Sequence, residues 1–154
     1  MTTISLCMTC MNRLWQIKQT LHKNIENCKK FGKNIEIILV NFNSKDNLHQ
    51  WIITNFLREI KDGLLKYYYT KQPDFWHASI AKNTSHFLGS GNILINLDCD
   101  NIISLKEIIF INNYFFKYHI KNIHLLHLEN KFTDKFGRIV ISKDFFRYIG
   151  GYNE

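Results

Sequence analysis

Two carboxylates one residue apart, Asp98 and Asp100, stand where a short apolar run, Ile93-Leu94-Ile95-Asn96-Leu97, gives out. In extended geometry residues i and i+2 point the same way, so both acids would share one side of the chain. Carboxylate oxygens are hard ligands suited to Mg2+ or Mn2+, with phosphate oxygens filling the positions the protein leaves open. The same residues also read as an ordinary strand-end turn carrying two solvated acids, and so short a motif does not decide between the two. A second candidate is Cys7-Met8-Thr9-Cys10, whose C-x-x-C spacing between a strand and a helix is that of a thiol redox pair. Cys7 falls inside the strand, no second C-x-x-C completes a zinc site, and Cys28 and Cys99 stand alone. Buried free thiols are therefore the expected state.

What must position the acids is a sheet. The run Ile93–Leu97 follows a glycine-rich break, Gly89-Ser90-Gly91, and precedes a helical pattern, as a parallel strand covered by helices on both faces does. Earlier in the chain, Thr3–Thr9 reads as a first strand, and Arg13–Lys30 as an amphipathic helix closed by Gly32. Ile35–Val40 is a second strand, and a polar loop starts at Asn41. Leu48–Ile60 is a second helix, and Leu64–Thr70, with three consecutive tyrosines, a third strand. Asp74 is placed to cap a third helix running to Phe87 or Leu88. After the fourth strand come a helix over Leu105–His119 behind Ser104, strands at His124–Leu128 and Arg138–Ile141, and a short helix over Lys143–Ile149.

Strands alternating with helices predict right-handed crossovers and an α/β fold with a mainly parallel sheet. Ligands of such sheets bind outside the carboxyl ends of the strands. The loops that start at Thr9, Asn41 and Asp98 should therefore share one cleft, carrying Asn12, Arg13, Asn43, Asp46, Asp98 and Asp100. That is an inventory for a metal-bound nucleotide. The dinucleotide fingerprint is absent, because Gly89-Ser90-Gly91 precedes a strand rather than linking one to a helix, and no phosphate loop ending in Gly-Lys-Ser/Thr occurs. His77 reads either as a diphosphate contact or as a packed helix residue beside Trp76. His124 and His127, three apart in a strand-like run, cannot face one ligand together and read as structural.

The 154 residues allow one domain, 1–154, with a proper core. A formal net charge of +7 favours anionic partners, but the lysines are scattered, so no nucleic-acid stripe is expected. No apolar run has membrane-spanning length and the N-terminus lacks signal-peptide features. A cytoplasmic protein is expected, with peripheral attachment to an anionic membrane face as the one membrane role its charge supports.

Five stretches together resemble a known family: T-C-M-N-R from Thr9, V-N-F-N-S-K-D from Val40, H-A-S-I-A-K-N from His77, L-D-C-D-N from Leu97, and the terminal G-G-Y-N-E. In this order they resemble a family 2 glycosyltransferase of the GT-A fold, a three-layer α/β/α architecture. The likeness extends to the subgroup of chondroitin- and hyaluronan-type polymerases and galactosyltransferase-like domains. The resemblance implies a nucleotide-sugar donor, usually UDP-linked, a divalent cation (Mn2+ or Mg2+), and inverting transfer to a glycan acceptor in bacterial surface-polysaccharide synthesis. By position it implies Asp98 and Asp100 as the metal-binding D-x-D, with Asp98 also toward the ribose. Thr9, Asn12 and Arg13 would line the nucleoside pocket, with Asn41 and Asp46 after the second strand. Lys82 would balance the diphosphate charge beside Asn83 and His77, and Gly150 and Gly151 would shape the donor-sugar pocket.

Two departures qualify the likeness. Asn41 and Phe42 stand where the family often carries an acidic pair that reads uracil, while Asp46 is retained. The family's later acidic motif, which supplies the general base, has no counterpart; Glu154, which matches the glycine motif's own acid, is the only candidate near the acceptor pocket. The acceptor-side part is thus expected to be largely absent. The chain reads either as part of a longer enzyme or as a donor-binding module that transfers poorly. A sugar nucleotidyltransferase would need a glycine-rich basic loop after the first strand, and Cys10-Met11-Asn12-Arg13 is not one.

Overall fold

The first strand, β1 (Ile4–Cys10), is buried along its whole length, and its alternate residues serve two different faces. Ile4, Leu6, Met8 and Cys10 enter the main core, and Cys7 enters a second cluster on the opposite face. The computed structural model describes residues 3–117, 125–127 and 138–154. Six strands form one sheet: β1, β2 (Ile35–Phe42), β3 (Leu65–Thr70), β4 (Ile93–Asn96), β5 (Leu125–His127) and β6 (Ile139–Ser142), in the order β3-β2-β1-β4-β6-β5. β3, β2, β1 and β4 run parallel, and β6 and β5 are added antiparallel. This is the expected mainly parallel α/β sheet between helical layers.

Helix α1 (Leu14–Phe31) covers one face through Ile17, Leu21, Ile25 and Cys28, joined there by α2 (Leu48–Asn55) and α5 (Leu105–Lys117). Helices α4 (Ala78–Leu88) and α6 (Lys143–Tyr148) cover the other, where Ala81 meets Ile38, Val40 and Phe42, and Phe146 meets Leu94 and Ile141. Ser142 caps α6, accepting from the Phe145 N–H. All four cysteines are buried and free.

Three elements differ from the sequence reading. The helix expected over Leu48–Ile60 is two, α2 and α3 (Leu57–Lys61), broken at Phe56 with φ −127°. That break lets the Phe56 ring pack against His22 and Trp51, with centroids at 4.6 and 5.1 Å, a tertiary preference overriding helical periodicity. Helix α4 starts at Ala78, not near Asp74, because extended His77 caps it: its Nδ1 accepts from the Ile80 N–H at 3.4 Å. β2 runs on to Phe42, so Asn41 pairs with Tyr69 inside the sheet instead of opening a loop. The expected helix end at His119 and the structural reading of His124 and His127 lie outside the described residues or side chains.

Two polar devices fix the ends of the central strands. Where the strands begin, buried Glu36 accepts from Ser5 Oγ and Ser90 N–H, both at 2.6 Å, from Ser90 Oγ at 2.8 Å, and pairs with Lys66 at 2.6 Å. Gly91 fits there because a Cβ would lie 2.8 Å from the Ile4 and Ser5 backbone. Where β4 ends, α1 clamps the outgoing loop. Buried Asn24 donates to Asn101 O and accepts from Ile103 N–H, both at 3.0 Å; Thr20 donates to Cys99 O at 2.5 Å, and Asn27 to Ile103 O at 2.9 Å. On the far side of that loop, buried Arg138 donates to Ile102 O at 2.6 Å and pairs with Glu107 at 2.7 Å.

Burial works against ionisation of Glu36, but hydrogen bonds from Lys66, Ser5 and Ser90 outweigh it and hold the carboxyl below its ordinary range. A folded value below the unfolded one stabilises fully above the unfolded carboxylate range, and the gain vanishes as pH falls through the folded value. Glu36→Gln is expected to cost about 1–3 kcal/mol at neutral pH and to flatten the acid limb of stability measured by urea unfolding. An acid limb identical to wild type contradicts the assignment. Asn24→Ala strands an N–H and a C=O and should cost roughly 2 kcal/mol, with faster amide exchange at Ile103; unchanged exchange there rules the clamp out.

Candidate functional site

The parallel strands deliver their carboxyl ends to one edge of the sheet, and a cleft of about 610 Å³ opens there. Thr9 through Arg13 line it from the end of β1, Asp98 through Asp100 from the turn after β4, and Trp76, Ala78 and Lys82 from the start of α4. Six of the residues singled out in the sequence thus meet in one space: Thr9, Asn12, Arg13, Lys82, Asp98 and Asp100. The two acids do not sit on an extended segment. Strand pairing ends at Asn96, and after the Leu97 N–H bonds Cys7 O at 3.0 Å the chain closes a turn in which Asn101 N–H bonds Asp98 O at 2.9 Å. The strand-end turn and the shared cleft are both real.

Each acid faces a cation. Arg13 lies 3.9 Å from Asp100 and Lys82 4.0 Å from Asp98, with the acid side chains 44% and 40% exposed. Pairs this long and this wet contribute little to stability and leave both partners able to exchange. Asn96 Nδ2 also donates to Asp98 Oδ1 at 3.4 Å. Two hard oxygen donors on one turn fit a divalent ion of the Mg2+ or Mn2+ type. Among the described residues no group of three or more His, Cys, Asp or Glu assembles around an ion. A cation held by Asp98 and Asp100 would take its remaining oxygens from a ligand or water.

The other candidates act on the frame of the cleft. Asn12, at φ +55°, donates its N–H to Ser44 Oγ at 2.9 Å and accepts from Lys45 N–H at 2.7 Å, tying the β1 and β2 loops together. Asp46 Oδ2 accepts from Leu14 N–H at 2.7 Å, an anion at the N-terminus of α1. Asn41 is wholly buried, donating to Tyr67 OH at 2.9 Å and accepting from Ser44 N–H at 3.0 Å. His77 serves as the α4 cap. Asn83 binds the end of the chain: its Oδ1 accepts from Tyr152 N–H at 2.7 Å, and its Nδ2 donates to Tyr152 O at 2.9 Å and Glu154 Oε1 at 2.8 Å.

Gly150 and Gly151 have φ of +78° and +83°, and a Cβ on Gly151 would overlap Asn83 Oδ1. The Tyr152 ring lies under the Lys82 ammonium at 5.8 Å, and burial pushes its hydroxyl up to about 12. The G-G-Y-N-E stretch is thereby docked against α4, one residue along from the cleft-lining Lys82. Beneath it His86 is fully buried against Phe146, and burial pulls its imidazole down to about 4, so it is neutral at ordinary pH.

Sequence reasoning missed Trp76, Ala78, Met11 and the Cys10–Cys99 contact. Trp76 has no periodicity to mark it; its one signal is its position at the carboxyl end of the third strand's connection. Cys99 is not isolated. The β1–β4 register, Ile4 opposite Ile93 through Cys7 opposite Asn96, extended past the strand's end brings Cys99 to Cys10. The Cys99 thiol beside it, followed by burial, pushes the Cys10 thiol above its ordinary range.

No curated protein sequence matches the chain significantly. Among solved structures it is similar to the mannosyltransferase PcManGT from Pyrobaculum calidifontis in complex with GDP-Man and Mn2+, at TM-score 0.79 and 13% identity over 99% of this chain and 48% of that chain. It is also similar to S. aureus TarS 1-349 in complex with UDP-GlcNAc, at TM-score 0.70 and 13% identity over 96% of this chain and 47% of that one. GalNAc-T7 with UDP, GalNAc and Mn2+ is similar at TM-score 0.54 and 21% identity over 68% of this chain and 19% of that chain. The chain therefore spans about half the length, or less, of these structures, and at such identities the likeness is one of fold. The family model described as Glycosyl transferase family 2 matches residues 5–109. The sheet, the strand-end cleft and this match agree, and the chain belongs to glycosyl transferase family 2, with the GT-A fold.

Proposed function

We propose that residues 1–154 form one donor-binding GT-A domain of a glycosyltransferase. It takes a nucleoside diphosphate sugar, of the UDP-sugar type, and passes the sugar with inversion to a glycan acceptor in bacterial surface-polysaccharide synthesis. The observation that carries this reading is the convergence of Asp98, Asp100, Lys82 and Arg13 on one cleft at the carboxyl ends of β1 and β4. Membership of the family supports the reaction class. The UDP donor, the inversion and the polysaccharide setting rest on the resemblance of the sequence motifs.

In this reading Asp98 and Asp100 hold Mn2+ or Mg2+. When bound, the ion supplies positive charge against the diphosphate as it leaves. Lys82 and Arg13, 4.0 and 3.9 Å from the two acids, turn from those carboxylates toward the phosphate oxygens and add fixed positive charge there. Thr9 and Asn12 shape the nucleoside end, and Asn41, Asp46 and His77 hold the surrounding loops and helix start in place. Asn83 with Gly150 and Gly151 seats Tyr152 and Glu154 beside Lys82, on the donor-sugar side.

One observation favours a second reading. Among the described residues no carboxylate lines the cleft besides Asp98 and Asp100, which the cation occupies. Glu154, bonded to Asn83, is the remaining acid near that side. A domain with this inventory binds donor without a general base of its own, which is the binding-module alternative. Among the described residues no helix is long and apolar enough to cross a membrane. The +7 charge supports a cytoplasmic protein resting on an anionic membrane face where acceptors are assembled.

Calorimetry with UDP should show micromolar binding in Mn2+ that is lost in EDTA and in an Asp98→Ala/Asp100→Ala double variant. Metal-independent binding, or binding unchanged in the double variant, contradicts the site. Lys82→Ala should weaken UDP by roughly tenfold while leaving uridine, which lacks phosphates, unaffected. Equal losses for both ligands would show that Lys82 acts through folding and not on phosphate.

A further inference from the structure

The two long helices of one layer, α1 and α5, share an outer face that the cleft does not use. Helix α1 carries lysines on both flanks, and the flanks differ. On the α2 and α3 side, Lys29 pairs with Glu59 at 2.6 Å and Lys18 lies over the Trp51 ring at 6.0 Å. On the other flank stand Lys23 and Lys30, both exposed. They lie four positions before and three after Asn27, which makes them its neighbours on the helix surface. Asn27 donates to Ile103 O, two residues ahead of α5, so these lysines border α5. Among the described residues neither takes part in an ion pair.

Helix α5 meets that flank with apolar side chains. Ile108, Ile111 and Phe115 are its buried residues. Lys106, Ile109, Phe110 and Asn113 follow one another at helical spacing and form a second, exposed stripe, with Ile109 42% and Phe110 54% exposed. Glu107, on the opposite shoulder from Ile109, is turned to Arg138 at 2.7 Å. The Ile109 shoulder therefore adjoins α1. The joint face sets Lys23, Lys30 and Lys106 around Ile109 and Phe110, and Glu26 is the exposed acid beside them. Single exposed apolar residues are ordinary. Two adjacent ones ringed by lysines suit a bilayer surface, where apolar side chains enter the headgroup boundary and lysine stems extend to the phosphates.

We infer that the α1–α5 face docks on an anionic phospholipid bilayer, with Ile109 and Phe110 in the headgroup layer and Lys23, Lys30 and Lys106 on the lipid phosphates. This rests on the reading of the protein as one that attaches to an anionic membrane, and names the surface that does so. A second copy of the chain fits the face poorly, because a two-fold contact would set the same lysines against one another. The placement also bears on the cleft. Helix α1 starts just after Arg13 and α5 soon after the Asp98–Asp100 turn, so both helices begin at the cleft. A bilayer along their outer faces reaches the carboxylate end of the cleft and brings an acceptor held at that bilayer close to the donor.

The test is co-sedimentation of the full chain with vesicles of phosphatidylcholine alone and of phosphatidylcholine mixed with phosphatidylglycerol. Wild type should pellet with the mixed vesicles and not with the neutral ones, and added salt should weaken the binding. Each lysine at an anionic surface contributes about fivefold, so Lys23→Ala/Lys30→Ala/Lys106→Ala should lose roughly a hundredfold in affinity. Ile109→Ser/Phe110→Ser, whose charge is unchanged, should lose roughly tenfold. Arg58→Ala/Lys61→Ala/Lys71→Ala removes the same charge near β3 and should stay within about fivefold of wild type. Thermal unfolding checks that each variant is folded. Equal losses in the two triple variants would make the attraction one of net charge and overturn the inference, as would a serine variant that binds like wild type. A wild type that stays in solution with the mixed vesicles, or that is a dimer which the serine variant dissolves, overturns it too. Calorimetry with UDP and Mn2+ on the same samples keeps the readings apart. UDP binding without vesicle binding fails this inference alone, and vesicle binding without UDP binding fails the donor site alone.

Discussion

The in-register pairing of β1 with β2 on one side and β4 on the other sets everything else in place. Ile4 lies opposite both Ile35 and Ile93, and the three strands advance together toward one edge. Because the strands are parallel, their outgoing loops emerge at the same end. Buried apolar side chains make the register costly to change: a one-residue slip would send Leu6 and Met8 to the wrong face and bring Ser5 and Thr9 into the main core. Glu36 locks the strand starts and the Thr20, Asn24 and Asn27 row on α1 locks the loop after β4. The rigid part of the molecule thus presents a preformed cleft, while the ionic contacts inside it stay loose.

That looseness is what a donor site requires. A pair closed to hydrogen-bonding distance and buried would have to be broken before a cation or a phosphate could enter, at a cost of several kcal/mol. Arg13–Asp100 and Lys82–Asp98 are long and solvated, so their exchange for ligand costs little. By contrast, the frame pairs Arg138–Glu107 and Lys66–Glu36, at 2.7 and 2.6 Å, belong to the scaffold. The difference separates pairs that hold the fold from pairs that, in the proposed reading, give way to ligand.

The central sheet was legible because parallel strands buried on both faces are nearly continuous apolar runs, as Ile35–Val40 is, while α1 shows helical spacing in Ile17, Leu21 and Ile25. The convergence of Asn12, Arg13, Asp98 and Asp100 followed from topology, since strand ends of one sense share an edge. What escaped depended on partners distant in sequence. Asn83 reads as a donor-helix residue, yet its amide bonds Tyr152 and Glu154, some seventy positions away. Asn41 reads as a loop residue, yet Tyr67 and Ser44 satisfy its amide and draw it into β2. Phe56 breaks a periodic helix because its ring has a better place beside His22 and Trp51. Trp76 carries no pattern at all; only the finished cleft shows that it lines the site.

The most direct test of the account is the position of a metal ion. Crystals grown with Mn2+ and UDP should give an anomalous peak at the Asp98–Asp100 turn, with diphosphate oxygens completing the coordination and Lys82 turned toward them. A peak elsewhere, or UDP bound away from the ends of β1 and β4, would contradict the assignment of this cleft as the donor site.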